Sequence, residues 1–357
     1  MPRIAVVQIE PSYMDPAAGL ARIEQFTAQA AAQGAEIVVF PELLVPGYPR
    51  YIGDPFPHTD EGEASWTDVQ RYHRAYVEHA QVVPGPYTDA LGHVARSHGV
   101  TLVVGLAERH PSIRSTLWNT GVVIGPDGRY LGKHRKLVSV MHERLYFNRG
   151  GREDIRTFQT PEANLGVCLC FENLQPLFRR ALGRLGEEIH CALWTGPTPR
   201  PMAAEGVHLE QHREMGITHA LDTGTFVAIS SQVTAREPDG GEHGSWWSHS
   251  GGSYIIDPLG RTIASVPDWE EGIALADCDL SLIDDARLVW NAFSDDARDD
   301  LFGPGPVGDA VSALSPPVPA PGLAAAADGQ VGPAPGRLAL PSAEGAYEAS
   351  GVSGHGD

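Results

Sequence analysis

The chain has 357 residues, enough for one large domain or two ordinary ones and for a sizeable core. Hydrophobic residues make up 42%, and 26 Lys and Arg against 45 Asp and Glu leave a formal net charge of −19, which disfavours a nucleic-acid partner held by its phosphates. No apolar run approaches the roughly 18 residues of a membrane span, so no membrane partner is expected.

The N-terminal segment MPRIAVVQIEPSYMD is a short apolar stretch without a cleavage-site pattern, and it reads as a strand at 4–9 and not as a signal peptide. A helix follows: Asp15 can cap it, Pro16 suits its first turn, Leu20, Ile23 and Phe26 share a face, and Gly34 stops it. EIVVF at 36–40 predicts a buried strand, 88–99 a helix with Leu91, Val94 and Ala95 inward and Gly99 as its stop, and 100–106 another strand. Residues 48–86 read as loops on which pocket size depends. NTGVVIG and RYLGKHRKL flank Pro126-Asp127-Gly128, a hairpin signal. LGVCLC at 165–170 predicts a strand, followed by helix to about Leu185, a strand at 189–194, a helix near 203–221 and the strand TFVAISS. GSYIID and RTIASV flank Pro258-Leu259-Gly260, a second hairpin, and GIALADCDL closes the pattern.

Strand–helix units mixed with hairpins argue for an α/β domain whose mixed sheets are covered by helices. From about Gly303 the composition turns to Pro, Gly, Ala and Ser. Such a stretch buries too little apolar surface to offset its ordering entropy, so 1–302 is expected to be the folded unit and 303–357 a mostly disordered tail. The four cysteines, at 168, 170, 191 and 278, have neither metal spacing nor a secreted framework, and a reducing cytoplasm is the expected compartment.

Three polar residues directly follow apolar strands: Glu42 after EIVVF, Lys136 in KHRKL and Cys170 at the end of LGVCLC. Ligands of α/β sheets gather outside the carboxyl ends of strands, so a carboxylate, an amine and a thiol can converge on one pocket. A thiol needs a base or a positive neighbour to become an effective nucleophile. Glu42 can take its proton, and Lys136 can stabilise negative charge on the attacked group.

These segments resemble the nitrilase, or carbon–nitrogen hydrolase, superfamily over roughly residues 3–280. FPELLVPGYP at 40–49 is similar to its Glu segment, KHRKL with HER at 133–144 to its Lys segment and second Glu, here Glu143, and LGVCLCFENLQPL at 165–177 to its Cys segment. GGSYIIDPLG at 251–260 resembles a late hairpin motif, and PGYP and HER lean towards the nitrilase branch. The resemblance implies a four-layer α-β-β-α sandwich and a triad of Glu42, Lys136 and Cys170 with Glu143 charge-matching the lysine. It implies a nitrile as the small-molecule substrate, hydrolysed through a thioimidate and a thioester to acid and ammonia. Lys136 and the Phe171 N–H would stabilise charge, no cofactor or metal would be needed, and the chain would form a homo-oligomer, a dimer or a larger spiral. Phe171, Tyr48 and Trp194 are assigned to the substrate pocket. Two positions depart from the family pattern: Cys-Phe-Glu replaces Cys-Trp-Glu at the nucleophile, and Ser139-Val140 replaces Pro-Thr. The first keeps an amidase on the same triad in play, and a non-catalytic binding or scaffold protein is the rival of another class.

Several residues have competitors. Cys168 lies two residues before Cys170 and points to the same face of a strand, and Lys133 is the nearest alternative to Lys136. Glu143 can be a surface carboxylate, or the counter-charge a buried lysine requires. His208, His212 and His219 share a helical segment and His243 and His249 a loop; without an HExxH pattern or acidic ligands, a solvated helix face is the expected explanation. Trp194 can be core or pocket wall, and Trp246 and Trp247 suggest a lid or subunit contact.

Overall fold

The computed structural model describes residues 1–49, 65–196, 211–234, 249–291 and 293, with the backbone of 58–59 and 62–63. The expected tail at 303–357, His208, His243, Trp246 and Trp247 lie outside the described residues. Strand β1 (Arg3–Gln8) is followed by α1 (Pro16–Ala32), β2 (Ile37–Val39) and the two-residue strands β3 (His58–Thr59) and β4 (Gly62–Glu63). Helices α2 (Trp66–His79) and α3 (Pro86–His98) lead into β5 (Thr101–Arg109), β6 (Leu117–Ile124), β7 (Tyr130–Arg135) and β8 (Phe147–Asn148). Then come β9 (Thr157–Gln159), β10 (Asn164–Leu169), α4 (Pro176–Arg184), β11 (Ile189–Trp194), α5 (Gln211–Thr223) and β12 (Phe226–Ser231). The last elements are β13 (Tyr254–Ile256), β14 (Thr262–Ser265), β15 (Gly272–Asp277) and α6 (Ser281–Val289).

Two large sheets result. The first is ordered β15-β1-β2-β5-β6-β7, with β8 also paired to β6; β1, β2 and β5 run parallel, and β15, β6 and β7 join antiparallel. The second is ordered β14-β13-β12-β11-β10-β9, with β10, β11 and β12 parallel and the outer strands antiparallel. Strand alternation divides the apolar side chains between two faces. Ile4, Val6, Ile37 and Val39 meet Leu165, Val167, Leu169 and Leu193 between the sheets. Ala5, Val7 and Val38 instead face Ile23 and Phe26 of α1 and Leu91 and Val94 of α3. On the far side Met215 and Ala220 of α5 cover Val227 and Ile229. The layers are therefore α-β-β-α, as expected.

Local signals explain the edges of these elements. Asp15 Oδ1 accepts the Ala18 N–H at 2.9 Å and Pro16 opens α1, while Gly99, at φ 65°, ends α3. Both expected hairpins form, β6–β7 and β13–β14. The helix α2 had no counterpart in the sequence expectation, although Ser65 and Asp68 form a capping box that announces it. Helix α6, beyond the last expected strand, buries Ile283 and Ala286. Among the described residues no helix is long and apolar enough to cross a membrane.

Candidate active site

Glu42 leaves β2 in a turn that lies flat on β5. Gly105 of β5 makes this possible, because a Cβ there would stand 2.3 Å from Pro41 O and 2.6 Å from the Glu42 Cα. Two backbone hydrogen bonds fasten the turn, Gly105 N–H to Pro41 O at 3.1 Å and Leu44 N–H to Gly105 O at 2.9 Å. The Gln232 amide, just past β12, donates to the Glu42 carbonyl at 2.6 Å and so ties the turn to the second sheet.

Lys136 follows β7 and is 2% exposed at its side chain. Its Nζ donates to Glu42 Oε1 at 2.7 Å and to Glu143 Oε1 at 2.8 Å. Burial alone would lower the ammonium's pKa, but Glu143 and Glu42 outweigh it and hold the value well above the ordinary lysine range. The two carboxylates differ in what remains free. Both oxygens of Glu143 are engaged: Oε1 also accepts the Tyr48 hydroxyl at 2.8 Å, and Oε2 accepts the Val140 N–H at 2.9 Å. Glu42 Oε1 accepts both Lys136 and the Asn119 amide, the latter at 2.6 Å, yet its buried Oε2 has no hydrogen-bond partner. Burial raises the Glu42 carboxyl to about 6, against the pull of Lys136 and with a push from Glu143.

Cys170 begins a 3-10 turn, Cys170–Leu174, at the end of β10, and its φ is 52°. A left-handed backbone at a residue with a Cβ costs of the order of 1–3 kcal/mol and is held by its surroundings. Leu43, beside Glu42, is left-handed too, at φ 45°. Burial pushes the Cys170 thiol well above the ordinary range; the charges acting on it are Glu42, Lys136 and Glu143, in that order, and the Phe171 N–H favours its anion. The resting group is thus a buried thiol with a carboxylate, an ammonium and a backbone donor around it.

Glu172 joins the amine and thiol segments. Its carboxylate accepts the N–H of Leu137, next to Lys136, and the N–H of Leu169, next to Cys170, the second at 2.9 Å. It also meets His134 Nε2 at 2.9 Å, while His134 Nδ1 meets Asp154 O at 2.9 Å. Both partners of this imidazole are acceptors, so both ring nitrogens donate and His134 is an imidazolium.

The rivals fall into other environments. Lys133 donates to Glu108 Oε1 at 2.6 Å and Val83 O at 2.9 Å, away from Glu42. The charges acting on the Cys168 thiol are Glu172, Glu187 and Arg179. Tyr48 sits against Glu143, and the Phe171 and Trp194 rings meet edge to face with centroids 5.7 Å apart. Trp194 belongs to the apolar cluster that includes Cys170 and is 5% exposed, so it is a core side chain. The expectation of a solvated histidine face is corrected: His212 and His219 are buried, His212 Nε2 donates to Gly252 O at 2.8 Å, and His219 Nε2 to Glu187 Oε2 at 2.8 Å. His249 is buried as well, and burial lowers it to about 4. Sequence reasoning assigned no role to Asn119, Gln232, Glu172 or His190. Only the FEN triplet after Cys170 marked a place to look for Glu172.

The sequence profile of the family described as "Carbon-nitrogen hydrolase" matches residues 3–288. The chain is 35% identical over 319 residues to Nitrilase 1 of Arabidopsis thaliana, covering 84% of this chain and 85% of that one. It is 31% identical over 307 residues to the aliphatic nitrilase of Rhodococcus rhodochrous, covering 84% and 81%. Among solved structures it is similar to Saccharomyces cerevisiae Nit3, a member of branch 10 of the nitrilase superfamily. The TM-score there is 0.64 at 21% identity, covering 83% of this chain and 96% of that one.

Proposed function

Because this chain belongs to the carbon–nitrogen hydrolase family, we propose that it is a nitrilase, converting a nitrile and two waters to a carboxylic acid and ammonia. The observation that carries the reading is the unpartnered Oε2 of Glu42, a buried carboxylate oxygen raised to about 6 beside a buried thiol. Such an oxygen is placed to accept a proton near neutral pH.

In this reading Glu42 takes the Cys170 proton as sulfur attacks the nitrile carbon, and delivers it to the nitrile nitrogen, giving a thioimidate. A water activated by Glu42 adds to the carbon, the C–N bond breaks, ammonia leaves and a thioester remains. A second water, activated in the same way, cleaves the C–S bond, releases the acid and returns the proton to sulfur. Lys136 and the Phe171 N–H offset the charge that develops on the substrate. Glu143, both of whose oxygens are engaged by donors, holds Lys136 in place. Tyr48 and Phe171 wall the pocket in this reading, and Trp194 packs edge to face on Phe171 as a core side chain. Oligomerisation through the family's helix layer, a cytoplasmic location and a dispensable segment at 303–357 belong to the same reading.

Phe171 in place of the family's tryptophan favours one second reading, an amidase entering the same scheme at the thioester. The test is ammonia release from butyronitrile, benzonitrile and phenylacetonitrile and from their matched amides. Release from a nitrile supports the proposal, release from amides alone supports the amidase, and release from none overturns both.

A further inference from the structure

Beneath the nucleophile turn lies a buried chain of polar groups that the reaction scheme does not use. Asn173 Nδ2 donates to the Cys170 carbonyl at 2.7 Å. Its Oδ1 faces His190 Nε2 at 2.7 Å, and His190 Nδ1 faces Glu187 Oε1, also at 2.7 Å. Glu187 Oε2 accepts from His219 Nε2 at 2.8 Å, and the two imidazoles stack with centroids 3.7 Å apart. All four side chains are buried, Asn173 the least so at 4% exposed.

The protons follow from the partners. A carbonyl can only accept, so the amide nitrogen of Asn173 faces Cys170 and its oxygen faces His190. His190 then meets an acceptor on each side and carries a proton on both nitrogens. Burial would raise the Glu187 carboxyl, but His190 and His219 overcome it and bring it down to about 2. His219, lowered to about 4 by burial and by His190, is neutral, and its Nδ1 has no partner. The chain is therefore one buried ion pair, His190 with Glu187, extended through Asn173 to the Cys170 carbonyl. The fold makes room for it: His190 is paired in register with Gly166, where a Cβ would stand 1.6 Å from Glu187 Oε1.

The Cys170 carbonyl and the Phe171 N–H belong to one peptide group, which is planar and trans, so fixing the direction of the oxygen fixes the direction of the hydrogen. We propose that Glu187, His190 and Asn173 form a positioning relay that locks and polarises the Cys170–Phe171 peptide with its N–H towards the reacting centre. Donation from an imidazolium-bound amide to the carbonyl strengthens the N–H at the other end of the same peptide. The relay keeps the left-handed turn from rotating its N–H away. It rests on the reading of Cys170 as the nucleophile.

The test is Asn173→Asp, which keeps an acceptor towards His190 but sets a carboxylate oxygen against the Cys170 carbonyl. Turnover of the best nitrile or amide of the panel should fall about 100-fold in kcat, the scale of one lost oxyanion donor. Alkylation of Cys170 by iodoacetamide forms no anion on a substrate and should fall less than about tenfold. A general collapse of the site would lower both together, and parallel loss overturns the proposal. So does an unchanged kcat. In a crystal structure of the variant the Cys170 carbonyl should turn away from position 173, and an unmoved peptide overturns the relay whatever the activity. Asn173→Ala, which removes the donor without adding charge, takes the same measurements if Asn173→Asp does not fold. A parent protein that releases no ammonia from any substrate would fail the hydrolase reading and not the relay, which the crystal structure tests independently.

Discussion

His134 and Glu172 form an ion pair, 2.9 Å between Nε2 and Oε2, buried where the end of β7 meets the end of β10. The pair connects the segment that carries the candidate amine to the one that carries the candidate thiol. Breaking such a buried pair costs about 3–5 kcal/mol, because an uncompensated charge is left behind. Glu172→Gln should therefore lower the midpoint of urea unfolding sharply and reduce turnover. A variant with parental stability would show that the carboxylate's charge does not hold these segments together.

Stability should also depend on pH through this pair. Burial opposes both charges, yet Glu172 holds the His134 pKa above the ordinary imidazole value and His134 holds Glu172 below the ordinary carboxylate value. A raised imidazole contributes stability that is complete below about pH 6.5 and is lost as pH rises through its folded value. A lowered carboxyl contributes stability that is present above about pH 4.3 and is lost as pH falls through its folded value. The stability gap between the parent and His134→Gln should thus be widest between those limits and narrow on either side. Thermal unfolding of both proteins across pH checks this, and a gap that widens steadily with pH would contradict it.

Turnover should fall as the solution is acidified through about pH 6, because Glu42 is raised to about 6 by burial and acts as a base only when ionised. The acid limb of kcat/KM reports this group in the free protein. Asn119→Ala removes a donor to Glu42 Oε1 and should move that limb upward. An acid limb unmoved by Asn119→Ala would assign it to another group.

Cys170→Ala should abolish ammonia release, whereas Cys168→Ala should keep it within about threefold, since Cys168 answers to Glu172 and Glu187 and not to Glu42. Intact-protein mass after trapping with a slow nitrile should show the adduct on Cys170. An adduct that survives Cys170→Ala would place the nucleophile elsewhere.

Lys136→Ala should cost about 3 kcal/mol or more of transition-state stabilisation, the scale of an oxyanion donor. Glu143→Gln should lower kcat more than it raises KM, because Glu143 touches the amine and Tyr48 and holds them in place. Steady-state kinetics on both variants check this, and a kinetically silent Glu143→Gln would remove it from the site.

Local features of the fold are legible in the amino-acid order. Caps, turn dipeptides and apolar alternation specified α1, α3, both hairpins and the strands that end at Glu42, Lys136 and Cys170, because each depends on residues within one or two turns. The motif order then pointed to the family and its four layers. Burial and pairing between residues far apart along the chain arise only once the sheets and helices are assembled. Lys136 meets a carboxylate 94 positions away while Lys133, three residues earlier, meets a different one. Asn119 reaches Glu42 across 77 positions, and Glu172 reaches Leu137 across 35. The histidines show the limit most clearly: their helical spacing fits an exposed face, yet His212 and His219 are buried because α5 turns them onto the second sheet, where Gly252 and Glu187 supply acceptors. No local pattern carries that pairing, since the cost of burying an imidazole is offset by partners 40 and 32 positions away.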